Sequence, residues 1–407
     1  MPDAPAVPGR RLRAVPVEPG PRVLTTFLPA LRAALNGSGD PVLPHSADRP
    51  APADLRPGEL LAADEDDEHD PTVVVVATSG SSGTPKGVLL AASALLASAS
   101  ATHDRLGGPG RWLLALPAQH VAGVQVLVRS LVTGTDPAVL DLADGFTPAG
   151  FAAAASALTG VRRYTALVPT QLVRLLEAAD HGDGDGLREL ARFDAVLVGG
   201  AGTPASVLER ASAAGVRVVT TYGASETSGG CVYDGVPLDG VLVRLDPSDQ
   251  GARVLLGGPT LARGYRGGDP DGAFLRDDAG DRWWRTADAG RLDGGRLQVL
   301  GRLDEAVLTG GVTVMPAAVE AVLLRLPGVA EAVVTGVDDP EWGRRVVAAV
   351  VPAPGAAPPA LTDVRDRVAA ELGPYAAPRQ LLVLDALPLV GVGKPDRAAV
   401  ARLAARG

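Results

Sequence analysis

The sequence is poor in several residue types, and each shortage narrows what the chain can be. Cys231 is its only cysteine, which excludes an internal disulfide and a thiolate-held metal cluster. Positive charge is not in excess: 38 Lys and Arg against 47 Asp and Glu give a net charge of −9. That balance leaves no basic footprint for nucleic acid. No apolar run approaches the roughly 18 residues that span a bilayer. The opening Met1-Pro2-Asp3-Ala4-Pro5 has no apolar leader core, so the expected setting is cytoplasmic, with neither membrane nor nucleic acid as partner.

Lysine is the most telling shortage. Only Lys86 and Lys394 are present, against 36 arginines. With 50 Gly and 35 Pro, the composition reads as GC-rich coding that has turned most lysines into arginines. An arginine fork does not replace a compact ammonium where a point charge must reach a phosphate or carboxylate oxygen. The two retained lysines are therefore candidates for chemistry, with chance survival as the plain alternative.

What is present is a chain of 407 residues, 46% hydrophobic and 21% charged, enough for two or three globular units with a sizeable core. Apolar spacing predicts a helix over Val23–Leu35. The acidic run Ala63–Asp70 reads as a solvated loop rather than a metal site. From Val73 to about Thr221 strands and helices alternate. Val73–Val76, Tyr164–Val168, Phe193–Val198 and Val216–Thr221 are the expected strands. Ala91–Leu106, His120–Val132, Thr170–Ala179 and Thr203–Ala214 are the expected helices. Such alternation predicts a layered α/β sheet with parallel pairs. Short strands at Val241–Leu245, Arg253–Leu256 and Arg296–Leu300 among Gly and Asp turns mark a smaller β-rich subdomain, about 240–302. After Arg302, helices at Pro316–Leu326 and Thr362–Leu372 and strands at Ala330–Gly336 and Arg345–Val351 suggest a compact α+β domain.

The segment Thr78-Ser79-Gly80-Ser81-Ser82-Gly83-Thr84-Pro85-Lys86-Gly87 directly follows the first of these strands. Small residues let the backbone close on a ligand, and Ser and Thr hydroxyls with backbone N–H groups suit phosphate oxygens. It is not a Walker A loop, because Pro85 and Gly87 flank Lys86 where that motif needs Gly before and Ser or Thr after. A flexible Gly/Ser turn is the plain alternative. Gly200-Ala201-Gly202-Thr203-Pro204-Ala205 fits a dinucleotide fingerprint. Yet Val218-Val219-Thr220-Thr221 stands where the ribose-binding acid belongs, so NAD is a remote reading.

The loop resembles the phosphate loop of the acyl-adenylate-forming superfamily, and further segments resemble that family's motifs in order. Tyr222-Gly223-Ala224-Ser225-Glu226-Thr227 is similar to its aromatic-Gly-x-Thr-Glu motif, with Ser225 in place of Thr. Thr286-Ala287-Asp288 is similar to Thr-Gly-Asp, with Ala287 in place of Gly. Gly301-Arg302-Leu303-Asp304-Glu305 and Thr309-Gly310-Gly311 resemble its interdomain hinge region, and Gly393-Lys394 stands at its adenylation lysine. Both lysines thus fall inside matched motifs. Val198-Gly199-Gly200-Ala201-Gly202 resembles the segment beside the adenine and acyl pocket. Leu116–Leu131, containing His120 and Arg129, resembles o-succinylbenzoate–CoA ligases, whose compact actinobacterial members are similar in size.

The resemblance implies an acyl-CoA synthetase-like α/β fold, with residues 1–302 binding ATP and acid and a mobile domain at 303–407 carrying Lys394. It implies ATP, Mg²⁺ and CoA: a carboxylate is adenylated, then passed to the CoA thiol. Thr78, Ser79, Gly80, Ser81, Ser82, Gly83, Thr84 and Lys86 would hold phosphates, and Glu226 would hold Mg²⁺ with the phosphate oxygens. Gly200, Ala201, Tyr222, Gly223, Ser225, Thr227, Asp288 and Arg302 would complete the nucleotide site. Tyr222 stacks on adenine and Asp288 takes the ribose hydroxyls in that reading. His120, Gly199 and Gly200 would line the acid pocket. Arg129, an arginine on an apolar helix, needs an anion, and the free carboxylate of an aromatic dicarboxylate supplies one; a structural ion pair is its plain alternative. Gly310 and Gly311 would lie on the CoA path, with Asp304 as the hinge. A carrier-protein-loading aryl-acid adenylating enzyme shares every ATP motif, and the sequence leaves a homodimer open.

Overall fold

The computed structural model describes residues 9–79, 85–248, 251–269, 271–390 and 394–406. The chain forms two compact units: Met1–Val243 with Leu256–Trp284, and Arg244–Leu255 with Arg285–Gly407.

The first unit is a layered α/β structure built on two sheets. One runs in the order Arg13–Val17, Val42–Ser46, Thr72–Ser79, Pro85–Ala91 and Gly264–Tyr265 by neighbouring strands. Val42–Ser46 is parallel to Arg13–Val17, and Pro85–Ala91 returns antiparallel to Thr72–Ser79. The other sheet has seven strands, with Val218–Ala224, Ala195–Val198, Arg163–Leu167 and Arg111–Leu114 as consecutive parallel neighbours. Val73, Val74, Val75 and Val76 are all essentially inaccessible, as expected for a β-branched run covered on both faces. Phe146, Phe151, Phe193, Leu172, Leu175 and Val196 form a second buried cluster where helices cover the seven-stranded sheet.

The Val23–Leu35 helix has the expected bounds, although it contains Pro29. Ala92–Arg105, Val121–Val132, Pro169–Asp180 and Ala205–Ala213 are the other expected helices of this part, each within a residue or two. Among the strands additional to the expected set are Arg13–Val17, Val42–Ser46 and Pro85–Ala91. Each contains a proline, the residue that argues against strand from sequence because it removes a ladder donor. The acidic run departs from expectation. Glu65 is 2% exposed and its carboxylate meets the buried Arg266 guanidinium and the backbone N–H groups of Ala62 and Gly267. Asp66 takes both Arg10 Nε and Nη2. Glu65, Asp66 and Asp70 are therefore tied into the fold by partners far away in sequence, while Asp64, Asp67 and Glu68 stay exposed as in a solvated loop.

In the second unit, the part of the strand Arg282–Asp293 from Arg285 onward continues into a hairpin with Arg296–Arg302, placing Asp288 opposite Arg302. Leu242–Ser248 and Gly251–Gly257 are the strands expected nearby. The rest is α+β. Val329–Asp339 and Gly343–Pro352 pair antiparallel, Gln380–Val383 joins parallel, and Pro316–Leu323 and Leu361–Leu372 supply helices. Val319, Leu323, Val334, Val346, Val350, Val364 and Val368 form its core. Among the described residues, no helix is long and apolar enough to cross a membrane.

Candidate active site

In the first unit, the ten-residue loop connects two antiparallel strands, with Thr78 opposite Lys86 and Ser79 opposite Pro85. Thr78 Oγ1 donates to the Lys86 carbonyl at 3.2 Å, closing the base of the hairpin. Gly80, Ser81, Ser82, Gly83 and Thr84 lie outside the described residues. Lys86 Nζ reaches Asp271 at 2.5 Å and stands 5.3 Å from the centre of the Tyr265 ring.

Tyr265 links that lysine to the acidic motif. Its strand, Gly264–Tyr265, pairs antiparallel with Pro85–Ala91, and its hydroxyl donates to Glu226 Oε1 at 2.9 Å. Glu226 sits in the tight turn Ser225–Thr227 at the end of the Val218–Ala224 strand. Thr227 Oγ1 fixes the turn by accepting from Ala224 N at 2.9 Å and donating to the Gly229 carbonyl at 2.8 Å. Burial raises the Glu226 pKa, against the Tyr265 hydrogen bond and the Lys86 charge. Among the described residues no cluster of three or more His, Cys, Asp or Glu could hold a metal. A single half-buried carboxylate such as Glu226 is nevertheless a donor that Mg²⁺ accepts, since it takes one or two carboxylates with phosphate and water.

Two glycines of the expected site are required by close approach. A Cβ on Gly223 would stand 2.3 Å from the Gly229 carbonyl oxygen, and one on Gly199 would stand 2.2 Å from Thr221 Oγ1. The neighbouring strands therefore run closer than any side chain there would permit. Gly200 and Ala201 follow Gly199 in the loop before the Ala205–Ala213 helix, and Tyr222 lies half-buried in the strand that ends at Glu226.

His120 occupies the position just before the Val121–Val132 helix without a side-chain capping bond, and partial desolvation of its ring moves its pKa below the ordinary value. One face of this helix carries Arg129 into the interior, where it is 3% exposed. Arg129 Nη2 donates to Thr102 Oγ1 at 3.2 Å and to Tyr233 OH at 3.4 Å, and its guanidinium carbon lies 4.9 Å from the Trp112 ring centre. Among the described residues no carboxylate pairs with it, so the structural ion pair considered from sequence is not what holds it. His103 is pushed down to about 4 by burial and by the Arg129 charge. Neutral His103 then accepts the Trp112 indole N–H at 3.2 Å on Nε2.

Sequence reasoning did not single out Tyr265, His103 or Gln125. Gln125 is 1% exposed. It sits one helical turn before Arg129, and that four-residue spacing was the available signal.

The second unit gathers its own motif residues. Thr286 Oγ1 donates to the Val254 carbonyl at 2.8 Å and accepts from Asp288 N at 3.0 Å, which orients the Asp288 backbone opposite Arg302. Arg302 was expected to present its fork to ribose or phosphate. In the structure, Nε and Nη2 instead grip Asp304 at 2.8 and 2.5 Å, and Asp304 raises the Arg302 pKa further. Gly310 and Gly311 make the turn between Val307–Thr309 and Val312–Val314, and Gly310 N donates to the Trp342 carbonyl at 3.0 Å. The Lys394 backbone pairs with Val390. Three residues on, Arg397 Nε donates to Glu305 Oε2 at 2.9 Å, and Nη1 holds Glu320 and the Val334 carbonyl. The helix after Lys394 is thereby tied to the turn that contains Asp304.

Residues 15–265 match a family model described as AMP-binding enzyme, and residues 318–394 match its C-terminal domain. The chain is 47% identical over 397 residues to a probable 2-succinylbenzoate–CoA ligase of Mycobacterium tuberculosis H37Rv, covering 96% of this chain and 98% of that protein. It is 34% identical over 301 residues to the 2-succinylbenzoate–CoA ligase of Salmonella typhimurium, covering 71% of this chain and 60% of that protein. Among solved structures it resembles the o-succinylbenzoate CoA synthetase of Bacillus subtilis in complex with the acyl-adenylate intermediate. There the TM-score is 0.66 at 25% identity, over 92% of this chain and 80% of that one. Wild-type E. coli MenE with a bound OSB-AMS analogue shares the fold, at a TM-score of 0.72 and 24% identity over 99% of this chain and 90% of that one.

Proposed function

Because the chain belongs to the AMP-binding enzyme family, we infer that it is an ATP-dependent o-succinylbenzoate–CoA ligase, an AMP-forming acid–thiol ligase of menaquinone biosynthesis. The observation that carries the acid assignment is near-half identity over nearly the whole of both chains to a relative of that name. The ordered motifs carry the ATP chemistry.

In the first half-reaction the ionised carboxylate attacks the α-phosphorus of ATP. The bond to the bridging oxygen breaks, pyrophosphate leaves with that electron pair, and an acyl-adenylate forms. No general base is needed, since the nucleophile is already deprotonated near neutral pH; catalysis is positioning and charge stabilisation. Thr78, Lys86 and the small residues between them are assigned to the leaving phosphates. Glu226 would hold Mg²⁺, which supplies positive charge to the phosphate oxygens. Lys394 is assigned to bridge the attacking carboxylate and the α-phosphate, Asp288 to the ribose hydroxyls and Tyr222 to the adenine face. Arg302 serves the nucleotide only after releasing Asp304.

In the second half-reaction the CoA thiol loses its proton and its sulfur attacks the acyl carbon, displacing AMP and leaving the thioester. The part from 303 onward is assigned to turn about Asp304 between the two halves, withdrawing Lys394 and presenting Gly310 and Gly311 to the pantetheine arm. His120, Gly199 and Gly200 are assigned to the acid pocket. Arg129 is assigned to the carboxylate that does not react: among the described residues a buried guanidinium held by hydroxyls and a ring face has no carboxylate partner, and so lacks the negative charge its burial demands.

The test mixes the protein with MgATP, CoA and o-succinylbenzoate and follows AMP and thioester by mass spectrometry, beside benzoate, salicylate and octanoate. Thioester from o-succinylbenzoate alone is the expected result. AMP released with another acid, or an adenylate that never passes to CoA, would overturn the acid or the acceptor assignment respectively.

A further inference from the structure

Three polar atoms on the Val121–Val132 helix are buried without a hydrogen-bond partner among the described residues: Gln125 Nε2, Gln125 Oε1 and Arg129 Nε. They belong to side chains four residues apart, one turn of the same helix, where such side chains meet. A buried amide that bonds to nothing is disfavoured against an apolar side chain of similar shape. The segment facing it makes the same point. Gly229 comes so near that a Cβ there would stand 3.4 Å from Gln125 Cγ, and Gly229 lies three residues past Glu226. Gln125 is thus placed between the arginine with no carboxylate and the turn that carries the acidic motif.

The three atoms have complementary needs. Arg129 Nε offers a donor, Gln125 Oε1 an acceptor, and Gln125 Nε2 two further donors. The structure leaves both Arg129 Nε and Gln125 Oε1 unbonded, and a side-chain rotation that brought Nε–H to Oε1 would satisfy the first two. What then remains is a buried, unsatisfied amide donor beside a positive charge with no carboxylate partner among the described residues, a combination that suits an ionised carboxylate, which only accepts. A water molecule would occupy the amide but leave the guanidinium without negative charge.

We propose that Gln125 is a specificity-determining residue of the acid site, its amide N–H donating to the non-reacting carboxylate of the dicarboxylate substrate while its amide oxygen holds Arg129 Nε. The proposal rests on the o-succinylbenzoate reading given above. It makes selectivity for a dicarboxylate over a monocarboxylate a property of two residues rather than of Arg129 alone.

The experiment measures ATP–pyrophosphate exchange and melting temperature for wild type, Gln125→Leu and Gln125→Met. The acids are o-succinylbenzoate and its two monocarboxylate analogues, 3-benzoylpropionate and 2-butyrylbenzoate. Both variants should raise KM for o-succinylbenzoate about tenfold to a hundredfold, with KM for ATP and for the analogue that keeps the reacting carboxylate unchanged. The ligand-free melting temperature should hold or rise, because an unsatisfied amide has gone. Gln125→Met keeps the unbranched shape, so loss of folding in Gln125→Leu alone leaves the comparison intact. Equal KM changes for dicarboxylate and monocarboxylate, or a lowered melting temperature with unchanged selectivity, would overturn the proposal and leave Gln125 a packing residue. A wild type that ignores o-succinylbenzoate overturns the underlying acid assignment as well, and is read from the wild-type arm alone.

Discussion

Tyr265 OH donates to Glu226 Oε1 at 2.9 Å across 39 residues of sequence, so a tyrosine on one sheet fixes the rotamer of the acid at the end of the other. Tyr265→Phe removes that donor while keeping the ring beside Lys86. ATP–pyrophosphate exchange should fall about tenfold, with the loss in kcat and in the Mg²⁺ requirement rather than in KM for the acid. A change confined to KM for the acid would detach Tyr265 from Glu226.

His103 makes stability depend on pH. Its ordinary value of 6.5 is pushed down to about 4 in the fold, so between those values the unfolded chain holds a proton that the folded chain does not. Stability is therefore complete above about pH 6.5 and declines as pH falls towards 4, by roughly 3 kcal/mol over the window. Urea denaturation at pH 7, 6 and 5 should show this slope, and His103→Gln, which keeps an acceptor for the Trp112 indole, should flatten it.

Glu65 and Arg266 are a buried pair, their side chains 3% and 1% exposed. Burial alone would push the Glu65 carboxyl up, but the N–H groups of Ala62 and Gly267 and the Arg266 guanidinium outweigh it and leave it below the ordinary range. Arg266→Met strands a buried carboxylate and should cost about 3–5 kcal/mol by chemical denaturation. A loss under 1 kcal/mol would mean that water reaches Glu65.

Lys394→Ala should abolish adenylation while largely sparing thioester formation from supplied acyl-adenylate, measured as two separate half-reactions. Equal loss in both halves would reassign the lysine.

Arg129→Ala should raise KM for o-succinylbenzoate far more than KM for ATP. A uniform change in the two would return Arg129 to a packing role against Trp112.

Much of this architecture is local and could be read from local pattern. The Val23–Leu35 helix follows from apolar spacing, and Val73–Val76 from an unbroken β-branched run. Glu226, Asp288, Arg302 and the two lysines fall in motifs whose order alone is informative. What escaped reading is what depends on distant partners. Glu65 looks like one more acid in a solvated run until Arg266, 201 residues away, is brought against it. Arg302 looks free until Asp304 closes on it, although the pair is only two residues apart. Tyr265, in a two-residue strand after a Gly-rich stretch, carries no periodic signal at all. Gln125 lies in an apolar helix where a single polar residue reads as noise; only burial on all sides gives it meaning.

The path of the chain between its two compact units has a bearing on modularity. It passes from the first to the second after Val243, returns after Leu255, and leaves again after Trp284. No single cut separates the units, since residues 244–255 are an island of the second set inside the first. Recombination, whether by evolution or at the bench, that joins a foreign C-terminal segment at one seam would inherit a mismatched strand from the recipient. A clean exchange needs three junctions made together, so the halves of such an enzyme are expected to be inherited as one block.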